Sequence, residues 1–205
     1  KECAPWNVGA IPADSAFTSI QPDWDRMGPY VEAAMSRVPV SIDTGIRTFF
    51  CGPESFTPDL RPIIGPAPEV RNYFVAAGLN SIGILTGGGL GRLVAHWIVD
   101  GDPGADVTGM HPARLQPYQT NPEYRRTRTV ASLGMVYQCH YPNKALQTAR
   151  GAKLSPLHAR LVEHGAYLRD VSGWESADWY AGPAAAPDGG PLTWGRPSWW
   201  AQWAA

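Results

Sequence analysis

The sequence predicts a mixed α/β (α+β) protein, and three patterns in its 205 residues predict it. The run "VAAGLNSIGILTGGGLGRLVAHWIVDG", residues 75–101, reads as a strand, a glycine-rich turn and a helix. Short β-rich runs at 47–51 and 72–77 precede it, separated by Pro and Gly punctuation. Upstream, residues 22–38 carry an amphipathic helical period. With 44% hydrophobic residues the chain can bury a core, as one or two domains.

Each element has a local reason. Trp24, Met27, Val31, Met35 and Val38 recur every three or four residues and predict one buried helical face, with Pro22 in the first turn and an end before Pro39. The runs 47–51 and 72–77 read as strands joined by a proline-stiffened loop. The next helix carries Leu90, Leu93, Val94, Trp97 and Ile98, begins near Thr86 and Gly87, and stops at Asp100-Gly101. After "GDPGAD" the character turns polar and aromatic, and a second unit begins near Gln116. A short helix at 156–164 leads into a strand at 166–171 and an aromatic segment in which Trp174, Trp179 and Tyr180 are expected in the core. Residues 181–195 read as a loop. The tail "RPSWWAQWAA" sets Trp199, Trp200 and Trp203 on the first turns of another helix. At roughly 25 cal/mol per Å² of apolar area, that patch should pack on this chain or on a partner.

Composition narrows the function. Seventeen basic and eighteen acidic residues are spread without a block of like charge, which speaks against nucleic acid or an anionic membrane and for a small molecule or another protein. Cys3, Cys51 and Cys139 make neither a disulfide framework nor a zinc spacing, which favours a reducing compartment. No apolar run reaches ~18 residues, and "KECAPWNVGA" holds neither a signal-peptide core nor an initiator methionine, so the natural N-terminus is expected elsewhere. His96, His111, His140, His158 and His164 are scattered, and structural or exposed roles are expected rather than a metal site.

The glycine turn does not satisfy the standard nucleotide motifs. Counting from Gly87, the sixth position of Gly-x-Gly-x-x-Gly is Arg92. The acidic residues about 20 positions on, Asp100 and Asp102, close the helix instead. No Gly-Lys-Ser/Thr occurs. There remains a helix N-terminus with free N–H groups, and glycines at Gly78, Gly83 and Gly87 to Gly89 that let backbone approach a ligand. Tight helix-on-strand packing explains the same glycines equally well.

The run "FFCGPESFTPDLRPIIGPAPEVRNYFVAAGLNSIGILTGGGLGRLVAHWIVDG" resembles the C-terminal part of the flavin domain in the dimethylglycine and sarcosine dehydrogenase family, within the D-amino-acid-oxidase-like superfamily. "SPLHARLVEHGAYLRDVSGWESADWYA" is similar to the small central domain that follows, and "WGRPSWWAQWAA" to the lead-in to a folate-binding aminomethyltransferase-like domain. The resemblance implies residues 1–115 in the flavin domain, 116–195 in the central domain and 196–205 in the lead-in. It implies FAD as cofactor, tetrahydrofolate through a C-terminal domain, and a Gly-x-Gly-x-x-Gly unit with a flavin-linking histidine outside these residues. It further implies that Gly78, Asn80, Ser81, Ile82, Gly83, Ile84 and Leu85 face the flavin, with the following helix aimed at N1–C2=O. Ile84 and Leu85 stand where some relatives place a lysine, leaving charge stabilisation to amides and the helix dipole.

In the loop 52–62, Glu54, Thr57, Asp59 and Arg61 are the polar members; Arg61 either grips a substrate carboxylate or, the favoured alternative, pairs with Asp59 or Glu54. Arg47 and Arg92 are expected in solvent. No catalytic group is assigned. The activity implied is FAD-dependent oxidative demethylation of an N-methylated amine such as dimethylglycine or sarcosine. The alternative is a regulatory binding role, because "ESFTPDLR" and "EVRNYFV" are equally similar to the pyruvate dehydrogenase phosphatase regulatory subunit. A cytoplasmic location is expected, or the mitochondrial matrix in a eukaryote.

Overall fold

The computed structural model describes residues 4–6, 9–136, 138–182 and 187–204, so Cys3, part of the 181–195 loop and the last residue of the tail lie outside the described residues. The chain divides into two compact units, Trp6–Glu54 and a larger one built on Ser55–Ala205.

In the smaller unit, helix α1 (Trp24–Arg37) is started by Asp23, whose carboxylate accepts the Arg26 N–H at 2.9 Å. Pro22 therefore lies outside the helix, because the acidic cap, not the proline, satisfies the first free N–H groups. Met27, Val31 and Met35 form the expected stripe, but it is only half-buried, and Trp24 rests on the Phe49 ring at 4.2 Å while staying 52% exposed. Residues 47–51 are not a strand. They make one bridge, Cys51 to Ile20, since among the described residues of this unit no second extended segment runs beside them.

In the larger unit, β1 (Ile63–Pro66) and β2 (Phe74–Ala77) pair antiparallel, Ile63 opposite Ala77 and Pro66 opposite Phe74. β1 falls inside the stretch expected to be a proline-stiffened loop. Pro62 and Pro66 sit at the ends of the run, where a missing N–H costs no ladder bond, and Ile63-Ile64 supply the β-branched centre. Gly65, at φ +116°, lies against the Trp97 ring so closely that a Cβ there would stand 2.6 Å from it. That contact brings helix α2 (Gly83–Asp100) across the hairpin. Ile64, Leu90 and Val107 form the buried centre, with Leu79, Leu93, Val94, Trp97 and Met110 packed around them.

α2 begins at Gly83, not near Thr86 and Gly87. The Thr86 hydroxyl donates back to the Ile82 carbonyl at 2.8 Å within the first turn. Its end is as predicted: Gly101 closes the helix in the left-handed region at φ +75°.

Three short 3-10 turns lead to helix α3 (Pro122–Val136), which the apolar pattern does not announce. Asn121 caps it, accepting from Glu123 and Tyr124 N–H, and its buried residues are Arg128, Ser132 and Gly134. Helix α4 (His158–Glu163) is followed by β3 (Ala166–Val171) and β4 (Trp174–Tyr180), an antiparallel hairpin turning through Ser172 and Gly173, both at positive φ.

The aromatics of β4 are covered unequally, and a register shift beside Tyr167 and Leu168 interrupts its strict alternation. Trp179 is buried and stacks between Tyr167 at 5.3 Å and Trp199 at 5.5 Å. Trp174, beside the turn, and Tyr180, at the end of the strand, are 43% and 45% exposed, so they are not core. Trp199 is also buried, its indole N–H donating to the Gly189 carbonyl at 2.8 Å, whereas Trp203 on helix α5 (Trp200–Ala204) is half exposed. The tail thus packs on its own chain chiefly through Trp199, while Trp200 is half-buried, 5.0 Å from the Trp203 ring and 5.3 Å from the Arg196 guanidinium.

Candidate functional site

The turn from β2 into α2 gathers the predicted ligand-facing residues. Gly78 takes φ +64° with the Thr57 methyl where a Cβ would be. Asn80 and Ser81 both occupy the left-handed region, at φ +52° and +66°, a conformation Asn tolerates and Ser seldom adopts. The Asn80 side chain is 9% exposed and turned inward. Its Oδ1 accepts the Thr57 N–H at 2.8 Å, and its Nδ2 donates to the Gly78 carbonyl at 2.5 Å and to Thr57 Oγ1 at 3.2 Å. The Thr57 hydroxyl in turn donates to the Arg61 carbonyl at 3.0 Å.

Past this bolt the backbone opens toward solvent. The first bond of α2 runs from Thr86 N–H to the Ile82 carbonyl at 2.9 Å, so the N–H groups of Gly83, Ile84 and Leu85 have no partner in the preceding turn. No side chain caps the helix. Around these donors stand apolar residues turned outward, Ile84 fully exposed, Leu85 84% and Ile82 44%. The arrangement offers a row of donors at a positive dipole end, set in an apolar surface.

Arg61 is placed differently from the favoured expectation. Asp59 does accept the Arg61 backbone N–H at 3.2 Å, but its carboxylate pairs with Arg114, Nε to Oδ2 at 2.8 Å and Nη2 to Oδ1 at 3.1 Å. Arg114 reaches it from the 3-10 turn Pro112–Arg114 and also donates to the Arg61 and Met110 carbonyls. Burial works to raise the Asp59 carboxyl, yet the Arg114 guanidinium and the Arg61 N–H outweigh it and hold it below the usual carboxylate range. Glu54 belongs to the other compact unit. Among the described residues, the Arg61 guanidinium forms no ion pair, and it extends over Gly109, where a Cβ would meet it at 2.9 Å.

Arg114 carries no signal of its own in the sequence; neither do two further arginines that organise the second hairpin. Arg128 pairs with Asp170 at 2.9 Å with both side chains buried. Arg150 binds both oxygens of Glu175, at 2.8 and 2.5 Å, and the Gly151 N–H adds a third bond, so the Arg150 pairing pulls the Glu175 carboxyl down despite its burial.

Two of the histidines serve local structure. His96 pairs with Asp100 at 2.9 Å, and His111 accepts the Ala113 N–H and lies against Trp97. Among the described residues no group of three His, Cys, Asp or Glu gathers as for a metal ion, and no helix is long and apolar enough to cross a membrane. Two open clefts lie away from the turn: one of about 380 Å³ beside Trp97, Val107 and His111, another of about 510 Å³ beside Tyr118, Tyr124 and Arg150.

Residues 7–97 match the family described as FAD dependent oxidoreductase, and residues 100–155 match the FAD dependent oxidoreductase central domain. Over 195 residues, 95% of this chain, the sequence is 38% identical to 4-methylaminobutanoate oxidase (formaldehyde-forming) of Paenarthrobacter nicotinovorans, covering 23% of that protein. It is 38% identical to human mitochondrial sarcosine dehydrogenase over 84% of this chain and 19% of that one. It is 33% identical to the mitochondrial pyruvate dehydrogenase phosphatase regulatory subunit of Mus musculus, over 80% of this chain and 19% of the relative. The chain spans about a fifth of the length of these relatives.

Proposed function

We propose, on the premise that two adjoining segments of this chain belong to the FAD dependent oxidoreductases and their central domain, that it supplies the flavin-facing turn of an enzyme oxidising N-methylated amines. The observation that carries this reading is the uncapped start of α2, with the N–H groups of Gly83, Ile84 and Leu85 in an apolar surround. The donor set fits the group: isoalloxazine is a flat, largely apolar ring whose carbonyl edge gains negative charge on reduction. Gly78, Asn80, Ser81 and Ile82 form the turn that presents this edge.

When bound, FAD accepts a hydride equivalent from the N-methyl carbon of the substrate. The residues here do the rest. Gly83, Ile84 and Leu85 stabilise the developing charge through fixed N–H dipoles, which need no reorganisation at the moment of transfer. Ile82, Ile84 and Leu85 exclude water, and Arg61, left free by the Asp59–Arg114 pair, grips a substrate carboxylate in the manner of a sarcosine-like amino acid. The imine so formed is hydrolysed by water to the demethylated amine and an aldehyde, or captured by tetrahydrofolate on a further domain. The remaining flavin-domain and folate-domain segments are the partners of this reading, in the cytoplasm or a mitochondrial matrix.

The test is anaerobic mixing of the FAD-loaded protein that joins this chain to the remaining flavin-domain segments with N-methylated amino acids. Loss of the oxidised-flavin absorption with at least one of them is expected. A flavin left oxidised by every amine overturns the reading and favours the second one, a regulatory binding role, which the 33% identity to the phosphatase regulatory subunit supports. This chain alone, in which the Gly-x-Gly-x-x-Gly pattern is not met, should elute from gel filtration without stoichiometric flavin.

A further inference from the structure

Resting on the reading above, one buried polar pair stands in a position to govern both halves of the site. Thr57 is 4% exposed and Asn80 9%, and they lie 23 residues apart in sequence. Asn80 holds the left-handed turn that aims the first N–H groups of α2, and Thr57 holds the carbonyl of Arg61. An amide and a hydroxyl so buried cost stability unless every bond is made, and here they join two loops that local structure alone would leave independent.

We infer that Thr57 and Asn80 are positioning residues, Asn80 acting through the Gly83–Leu85 N–H row on the flavin and Thr57 acting through Arg61 on the substrate carboxylate. The two effects are separable. Removing the Asn80 amide frees the turn and changes the electrostatics felt by the flavin. Removing the Thr57 hydroxyl releases the Arg61 carbonyl and one Asn80 Nδ2 bond, but leaves Asn80 held by the Thr57 backbone N–H and by the Gly78 carbonyl.

The experiment uses the FAD-loaded protein that joins this chain to the remaining flavin-domain segments, and reads flavin reduction potential, visible absorption, and KM against kcat for two N-methylated amines, one with a carboxylate and one without. Asn80→Gly keeps the left-handed backbone accessible while deleting the clamp. It is expected to shift the potential to more negative values and to alter the flavin spectrum. Thr57→Val is expected to raise KM about tenfold for the carboxylate-bearing amine alone, the scale of one lost hydrogen bond. Thr57→Ser should restore it.

Ile84→Trp, at a fully exposed position of the turn, tests the underlying site independently. If Ile84→Trp shifts the flavin spectrum while Asn80→Gly and Thr57→Val behave as wild type, the positioning inference fails and the site stands. If none of the three moves spectrum or potential, the site itself is wrong. Should Asn80→Gly fail to fold, the Thr57→Val and Thr57→Ser comparison decides, and equal KM values for the two overturn the inference.

Discussion

Arg114 grips Asp59 across 55 residues of sequence, with Nε 2.8 Å from one carboxylate oxygen and Nη2 3.1 Å from the other. The pair ties the loop before β1 to the 3-10 turn Pro112–Arg114, and it decides which arginine of the neighbourhood remains available. Arg114→Ala should destabilise the fold by about 2–4 kcal/mol, because a partly buried carboxylate and the carbonyls of Arg61, Met110 and His111 lose their donor. Arg114→Lys, which cannot present the planar fork, should recover only part of that. Urea denaturation midpoints at neutral pH check both.

Acid sensitivity follows from Glu175 and Asp59, whose carboxyls are both held below their ordinary values in the folded chain. A depressed folded value means stability that is present above the unfolded carboxylate pKa and is lost as pH falls through the folded one. Melting temperature should therefore drop between about pH 5 and pH 2, and Glu175→Gln should flatten that limb while lowering stability at pH 7 by about 1–3 kcal/mol. An acid limb as steep as wild type in Glu175→Gln would assign the acid loss to other groups.

The alkaline limb has the opposite sign. Burial, with the neighbouring Tyr124 ring 5.2 Å away, pushes the Tyr118 phenol up to about 12. Its contribution is fully present below the unfolded value of about 10 and disappears as pH rises through the folded value. Phenolate absorbance should show Tyr118 among the last tyrosines to ionise, and Tyr118→Phe should remove that late component and part of the alkaline loss of stability.

The terminal tryptophans should separate sharply in a stability scan. Trp199→Ala removes a buried ring stacked on Trp179 and an indole bond to Gly189, and should cost about 3–5 kcal/mol. Trp203→Ala, at 51% exposure, should stay within about 0.5 kcal/mol. Equal losses in thermal or chemical melts would mean that the tail packs differently from the arrangement described.

Local features were legible where the backbone itself dictates them. The strand at Ala166–Val171 stands between Gly165 and the Ser172-Gly173 turn, and α2 ends on a glycine that alone adopts φ +75° without strain. β1 was hidden because its prolines read as loop punctuation, although they fall only at the edges of the run. α3 was hidden because what it buries is Arg128 and Ser132, the one bound to Asp170 and the other to the Pro58 carbonyl at 2.6 Å, so no apolar period marks its inner face. The candidate turn, being one contiguous stretch from Gly78 to Leu85, was readable as a unit; the Thr57–Asn80 bolt beneath it was not.

By itself, then, the sequence determined the amphipathic periods, the glycine-closed helix and the strand at Ala166–Val171, because these depend on backbone sterics and on residues within a few positions of each other. Only the tertiary structure decided that Asp59 takes Arg114 and leaves Arg61 free, that Asn80 turns inward to Thr57, and that Trp199 rather than Trp203 is covered. Those outcomes are contests between chemically equivalent partners, and the winner is set by which side chains the fold brings within about 3 Å, a distance that spacing along the chain does not encode.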